Sequence, residues 1–181
     1  MVLFKAYDEN VEINGQTVLA IVNAFPDHFK KEARNILAEN GIVDPVPGQW
    51  YSQQKWLDTF KFIAEKFGDN TLFSIGKQIP KNAIFPEESM TSFKEALESI
   101  NIAYHMNHRN GEIGYYKLLE FDEINSIITF ECKNPYPSEF DKGILTRISR
   151  DYSYGNVVSI DRTKPIREKG GESTTYIIRK S

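Results

Sequence analysis

The chain has 181 residues, 40 % of them hydrophobic and 26 % charged, with a formal net charge of −3; that suits one domain, or one domain with a lobe, burying about 70 % of its unfolded surface. The acidic balance argues against a general nucleic-acid binder, and the single cysteine excludes an internal disulfide framework or a cysteine-clustered zinc site. The longest apolar run, Val18 to Val22, is too short to span a bilayer, and Met1 to Lys5 lacks the sections of a signal peptide, so a cytoplasmic location is expected.

Residues 2–7 read as a short strand, and Asn14-Gly15 as a turn or a helix start. Val18 to Phe25 fits helix or strand, with helix preferred. Pro26 suits a first helical turn, and Phe29, Ala33, Ile36 and Leu37 form a stripe on a helix ending at Asn40-Gly41. Residues 44–51 form a loop carrying Trp50 and Tyr51. Ser52 then caps a helix with the face Trp56, Phe60, Ile63, Ala64 and Phe67, stopped by Gly68. Asp69 opens a shorter helix through Leu72, Ile75, Gly76 and Ile79, closed by Pro80. A looser stretch, 81–91, leads to Ser92-Phe93-Lys94-Glu95, a capping box for a helix running to about Met106.

From Gly111 the periodicity changes. Glu112 to Phe121 and Ser126 to Lys133 read as two strands, the second alternating Ile128, Phe130 and Cys132 with polar residues, as a half-buried antiparallel strand does. Asn134-Pro135-Tyr136-Pro137 is a rigid extended turn. Ser138 and Asp141 look like a capping box for a helix over 138–151, and Phe140, Ile144, Ile148 and Tyr152 recur on one face. Gly143 lies with them, where a missing side chain lets another backbone come close. Val157 to Arg162 and Thr174 to Arg179 are two further strands, joined by the charged loop Thr163 to Ser173. The fold class expected is α+β: a mainly helical lobe over 1–110, then an antiparallel β-β-α-β-β half over 111–181, together one domain.

Candidate chemistry is sparse. His105 and His108, three apart at a helix end, can face one metal, but a pair leaves such a site short of ligands, so no metal site is assigned. Tyr104 points inward on the stripe Phe93, Leu97, Ile100, whereas His105 joins the polar side. Cys132 reads as a buried neutral thiol and Ser138 as a cap. Gly170-Gly171-Glu172-Ser173 and the basic residues Arg162, Lys164, Arg167 and Lys169 read as a solvated hairpin loop. The carboxylates are scattered, and no catalytic residues can be nominated, so no enzyme is expected.

Several strings resemble one superfamily, that of the heme nitric-oxide/oxygen-binding (H-NOX) domains and the 4-vinyl-reductase-type ligand-binding domains. Lys55 to Phe85, with its Gly68 break and Ile75-Gly76-Lys77-Gln78, is similar to the helical half of an H-NOX domain. Phe93 to Met106 is similar to the helix carrying the proximal heme ligand. Tyr136-Pro137-Ser138 is similar to the start of the Tyr-x-Ser-x-Arg signature, and Lys169 to Tyr176 resembles the last hairpin of the 4-vinyl-reductase-type group. The chain departs from the pattern where it matters for heme. Phe140 stands where the signature has its propionate-pairing arginine, Tyr104 falls at the proximal histidine position with His105 beside it, and Ser138 and Ser173/Thr174 stand where related metal-binding cysteines occur.

The resemblance implies a non-enzymatic sensory or regulatory module with an apolar cavity between helices and sheet, walled by Leu72, Leu97, Tyr104, Tyr136, Phe140 and Ile144. The same residues serve equally as ordinary core. Its partners would be an apolar small molecule and a signalling protein or a second copy of the chain, with no nucleic acid and no membrane span. The alternatives it leaves open are a heme-based gas sensor using Tyr104, His105 or His108, and an adaptor that binds protein without a ligand.

Overall fold

The computed structural model describes residues 3–122, 124–125, 127–153 and 155–180; Met1, Val2 and Ser126, which enter the expectations above, lie outside the described residues. The architecture is α+β, helices first and an antiparallel sheet after them. In order come β1 (Glu12–Asn14), α1 (Gly15–Ala24), α2 (Lys30–Glu39), β2 (Trp50–Ser52), α3 (Gln53–Phe67), α4 (Asp69–Gly76), α5 (Ile79–Asn82), α6 (Phe93–Met106) and β3 (His108–Arg109). They are followed by β4 (Tyr115–Asp122), β5 (Ile127–Lys133), α7 (Ser138–Tyr152), β6 (Asn156–Ile160) and β7 (Thr174–Lys180). The larger sheet has the order β4-β5-β7-β6, and a small one, β2-β1-β3, ties the start of the chain to the end of α6.

Local chemistry sets the main boundaries. The Asn14 side chain accepts the Thr17 N–H and starts α1. Ser92 and Glu95 make the reciprocal capping box of α6: Ser92 Oγ accepts from Glu95 N, while Glu95 Oε2 accepts from Ser92 Oγ and Thr91 N. Gly68, at φ +74°, turns the chain out of α3 and straight into α4, a conformation that strains any residue with a Cβ.

The sheet carries the period of two expected of it. Ile128 faces Ile178 and Phe130 faces Tyr176 across β5 and β7, and Val158 of β6 faces Ile178. These inward residues are buried, as is Cys132. Helix α7 packs over that face with Phe140, Ile144 and Ile148 buried, and its outer side meets α4. The crossing is set by two glycines. A Cβ on Gly143 would lie 2.3 Å from the Phe73 carbonyl oxygen, and one on Gly76 would lie 2.0 Å from the Phe140 carbonyl oxygen. Neither contact can be relieved by a rotamer change, since both partners are backbone.

Several expectations need correction. Residues 3–7 form no strand, and Phe4 has φ +62°. The strands of the helical half are instead Glu12–Asn14, Trp50–Ser52 and His108–Arg109, too short to show a period. Pro26 precedes a 3-10 turn at Asp27–Phe29 rather than opening α2. Pro80 stands in the first turn of α5, where its missing N–H costs nothing, instead of closing α4. Ser52 makes no cap bond. Pro137 is the N-cap of α7 and Ser138 its first residue, so Ser138 turns its hydroxyl elsewhere. Tyr152 is 40 % exposed, because α7 leaves the core within its last turn, after the buried Ser149.

Candidate functional site: an apolar cavity between helices and sheet

Where α3, α6 and α7 converge, aromatic rings pack edge to face or tilted. Trp56 meets Phe60 at 4.7 Å between centroids and Tyr136 at 5.3 Å; Phe140 meets Phe60 at 4.8 Å and Tyr136 at 5.4 Å. Such contacts suit the ring quadrupoles and leave little free space. What they leave is a cavity of about 30 Å³ with a wall almost wholly of carbon. It is lined by Trp56 of α3, Ile100, Ala103 and Tyr104 of α6, and Phe140 and Ile144 of α7, among others. A space of that size holds one or two water-sized molecules. Of all its lining residues only Ala83 and Phe85 are not buried.

The rim is polar. His108 is buried, and burial pushes its imidazole down to about 4, against the upward pull of its bond to the Tyr104 carbonyl. It is therefore neutral at pH 7. His108 Nδ1 lies 2.8 Å from the Tyr104 carbonyl oxygen, which can only accept, so Nδ1 carries the proton. Nε2 then accepts from the Tyr136 hydroxyl at 2.8 Å, and that hydroxyl accepts from Gln53 Nε2 at 2.8 Å. The chain Gln53–Tyr136–His108 thus joins α3, the turn before α7 and β3. Two buried atoms beside it, Gln53 Oε1 and Trp56 Nε1, have no partner among the described residues; an unpaired buried N–H or C=O is costly, so this is the less satisfied of the polar groups around the core.

Asn107 has the opposite character. Its Oδ1 accepts from Asn14 Nδ2 at 2.7 Å, Thr17 Oγ1 at 3.0 Å and Ile84 N at 3.0 Å, and its Nδ2 donates to the Ile84 and Ala103 carbonyls at 2.7 Å each. One carboxamide therefore ties together α1, α6 and the segment after α5.

A second polar cluster lies on the far side of Tyr116, beneath the sheet. Arg167 forms an ion pair with Asp141, and both are buried. Asp141 also accepts from the Tyr116 hydroxyl at 2.5 Å and from Asn134 Nδ2 at 3.1 Å, while Arg167 donates to the Asn134 carbonyl at 2.9 Å and to Thr174 Oγ1 at 3.2 Å. Burial raises the Asp141 carboxyl above its usual range, with Arg167, Tyr116 and Asn134 pulling it back. Arg167 was expected in a solvated loop and Asp141 in a capping box with Ser138; each is buried because it pairs with the other. Ser138, whose hydroxyl is 2.7 Å from Thr174 Oγ1, holds the Glu168 carboxylate through its N–H and its hydroxyl, each at 2.6 Å.

Of the residues anticipated as cavity wall, Tyr104, Tyr136, Phe140 and Ile144 line it; Leu72 and Leu97 are buried in the core away from it. His108 lines the cavity, whereas His105 is exposed, with Nδ1 2.9 Å from the Asn101 carbonyl. Sequence reasoning missed Trp56 as cavity wall, Phe85 and Asn107. The first was legible only as core periodicity, and the other two stand in or beside stretches with no period at all.

No protein-family model matches the chain, and no curated protein matches it significantly in sequence. Solved structures do resemble it. An H-NOX protein from S. oneidensis in the Fe(II)NO state is 11 % identical and superposes with a TM-score of 0.63 over 93 % of this chain and 99 % of that one. An oxygen-binding H-NOX domain related to soluble guanylate cyclases, in its oxygen complex, gives 14 % identity and a TM-score of 0.63, covering 93 % and 95 %. A variant H-NOX protein from K. algicida, Fe(II) and unliganded, gives 15 % and 0.61, covering 93 % and 97 %. The chain therefore has an H-NOX-like fold.

Heme, which such relatives hold, finds a poor fit among the residues here. The Tyr104 hydroxyl donates to the Ile113 carbonyl at 2.5 Å, and burial holds its phenol well above the ordinary range, far from a phenolate ligand. Both nitrogens of His108 are engaged, and His105 lies outside the cavity. Phe140, at the position of the signature arginine, adds a ring to the packed cluster and offers a propionate no donor. Among the described residues no three His, Cys, Asp or Glu side chains gather as metal ligands. A space of about 30 Å³ is an order of magnitude below the several hundred Å³ of ordinary cofactor pockets.

Proposed function

We propose that this H-NOX-like chain is a regulatory module that takes a small uncharged molecule between its helical and sheet halves and does so without heme. The observation that carries this reading is the carbon-walled cavity itself, lined by Trp56, Tyr136, Phe140 and Ile144 where the helices meet the sheet. An apolar guest suits that wall.

Magnitudes limit the guest. About 30 Å³ admits roughly two heavy atoms, and even the best small ligands gain only about 1.5 kcal/mol per atom, so such a guest binds more weakly than about 1 mM. Micromolar binding needs about 8 kcal/mol, hence roughly six atoms, the size of a small ring. The working ligand therefore widens the cavity as it enters. Ring motion there bears on Phe140 and so on the α4–α7 crossing, which gives the event a route to a partner protein or to a second copy of the chain.

The test is a thermal melt of the purified protein with benzene, phenol and indole, and an absorbance titration with hemin. The reading requires at least one ring compound to raise Tm by several degrees, by preferential binding to the native state, and hemin to give no saturable Soret band. No shift with any of the three would remove the ligand-binding reading. A stoichiometric Soret band would favour a second reading, a heme-based sensor, which the H-NOX-like fold supports.

A further inference from the structure

We infer that residues 83–90 are the gate of this cavity, with Phe85 as its plug and the Asn107 carboxamide as its latch; the inference rests on the ligand-binding reading above and specifies how that site opens.

The remaining walls are poor candidates for movement. Trp56, Ile100, Tyr104, Phe140 and Ile144 sit on three long helices and are buried. The backbone contact of Gly76 with Gly143 leaves no slack between α4 and α7. The segment after α5 differs on each count. It carries the two lining residues that are not buried, Ala83 and Phe85, and its regular structure is a single 3-10 turn, Glu87–Ser89. Phe85 packs against the core from this segment, closing the cavity with a side chain that has solvent on its other side.

The hydrogen bonds single out one fastening. Within the segment Glu87 N donates to the Phe85 carbonyl, Ser89 N to Pro86 and Met90 N to Glu87, and Ala83 N caps α5 through Ile79. Beyond these local bonds, the hydrogen bonds among the described residues tie the segment to the rest of the fold only through Ile84, whose N–H and carbonyl pair with Asn107 Oδ1 and Nδ2; Ala83, Phe85 and Met90 add apolar packing against the core. The carboxamide imitates a strand neighbour for one residue. Releasing that pair frees Phe85 to swing outward, and its departure adds the volume of a phenyl ring to the cavity. An apolar cavity of about 150 Å³ takes benzene, which matches the ring-sized guest inferred from affinity.

Ile84 is 40 % exposed, so replacing it disturbs the latch without hollowing the core. In a Trp50→Phe background Trp56 is the remaining tryptophan, and acrylamide quenching of its fluorescence reads the opening directly. Ile84→Pro removes the donor to Asn107 Oδ1 and is expected to raise the quenching rate constant at least threefold while the cooperative melt persists. In the wild type, the Ile84 amide is expected to exchange through a local opening at least tenfold faster than the Leu57 and Leu97 amides. Unchanged quenching in folded Ile84→Pro overturns the gate. So does an Ile84 amide as slow as the core, a result that decides the matter alone if the variant does not fold. Benzene melts on the same samples separate the two claims: an opening Trp56 with no Tm shift sinks the ligand reading, and a Tm shift with no opening sinks the gate.

Discussion

Two buried polar clusters flank the same aromatic core and are built on opposite terms. Beneath the sheet, Asp141 and Arg167 form an ion pair supported by Tyr116, Asn134 and Thr174, so the cluster is closely satisfied. Beside the cavity, Gln53, Tyr136 and His108 are neutral, and two buried atoms nearby, Gln53 Oε1 and Trp56 Nε1, have no partner among the described residues. A charged cluster in a low-dielectric interior tolerates no loss of a member, since the survivor keeps its desolvation cost. A neutral chain with loose ends tolerates change and can accept a guest. The first fastens loop 163–173 to α7; the second leaves the meeting point of helices and sheet adjustable.

Removing Asp141 should have the largest effect on this contrast. Asp141→Ala leaves the Arg167 guanidinium buried without its counter-charge, and urea unfolding should show a loss of about 3–5 kcal/mol. A loss under 1 kcal/mol would mean that Arg167 finds water in solution and that the cluster is no lock.

The neutral cluster shows itself through pH. Burial lowers His108 from 6.5 to about 4, so between those values the unfolded chain binds a proton that the folded chain refuses. The stability this histidine contributes is whole above pH 6.5 and falls as pH drops, by about 3 kcal/mol once pH 4 is reached. Carboxylates titrate over the same acid range, so the quantity to read is the difference between wild type and His108→Gln. The wild type should lose that much more than the variant; parallel curves would show that His108 reaches solvent and titrates normally.

Tyr136→Phe should cost least, about 1–2 kcal/mol, because it takes one hydroxyl and strands Gln53 Nε2 and His108 Nε2. The same change makes the rim more apolar. Benzene should therefore stabilise the variant at least as much as the wild type in parallel melts, and a smaller shift would argue that the hydroxyl itself meets the guest.

Much of the scaffold could be read from residue spacing. The stripe Phe140, Ile144, Ile148 foretold the buried face of α7, Gly143 the close approach, and Ser92 with Glu95 the start of α6. The alternation of Ile128, Phe130 and Cys132 foretold a strand with one buried face. Four anticipated wall residues, Tyr104, Tyr136, Phe140 and Ile144, line the cavity because they share the inward stripes of α6 and α7 or the turn that leads into α7. Other features carried no periodic signal. Three strands of two or three residues are held by partners 36 to 97 positions away, as Asn14 with Trp50 and Glu12 with Arg109 show. Arg167 looked solvated because its loop is rich in charge and glycine, and nothing local announced Asp141.

The amino-acid sequence by itself determined which residues turn inward on each helix and strand, since that follows from a period of 3.6 or 2 and from the capping chemistry at element ends. Only the tertiary structure decided how large a space those inward rings leave, which histidine is sealed in a neutral state, and that one asparagine fastens the segment over the cavity. Those outcomes depend on packing and pairing between residues far apart in the chain, where a shift of one ångström separates a filled core from a pocket.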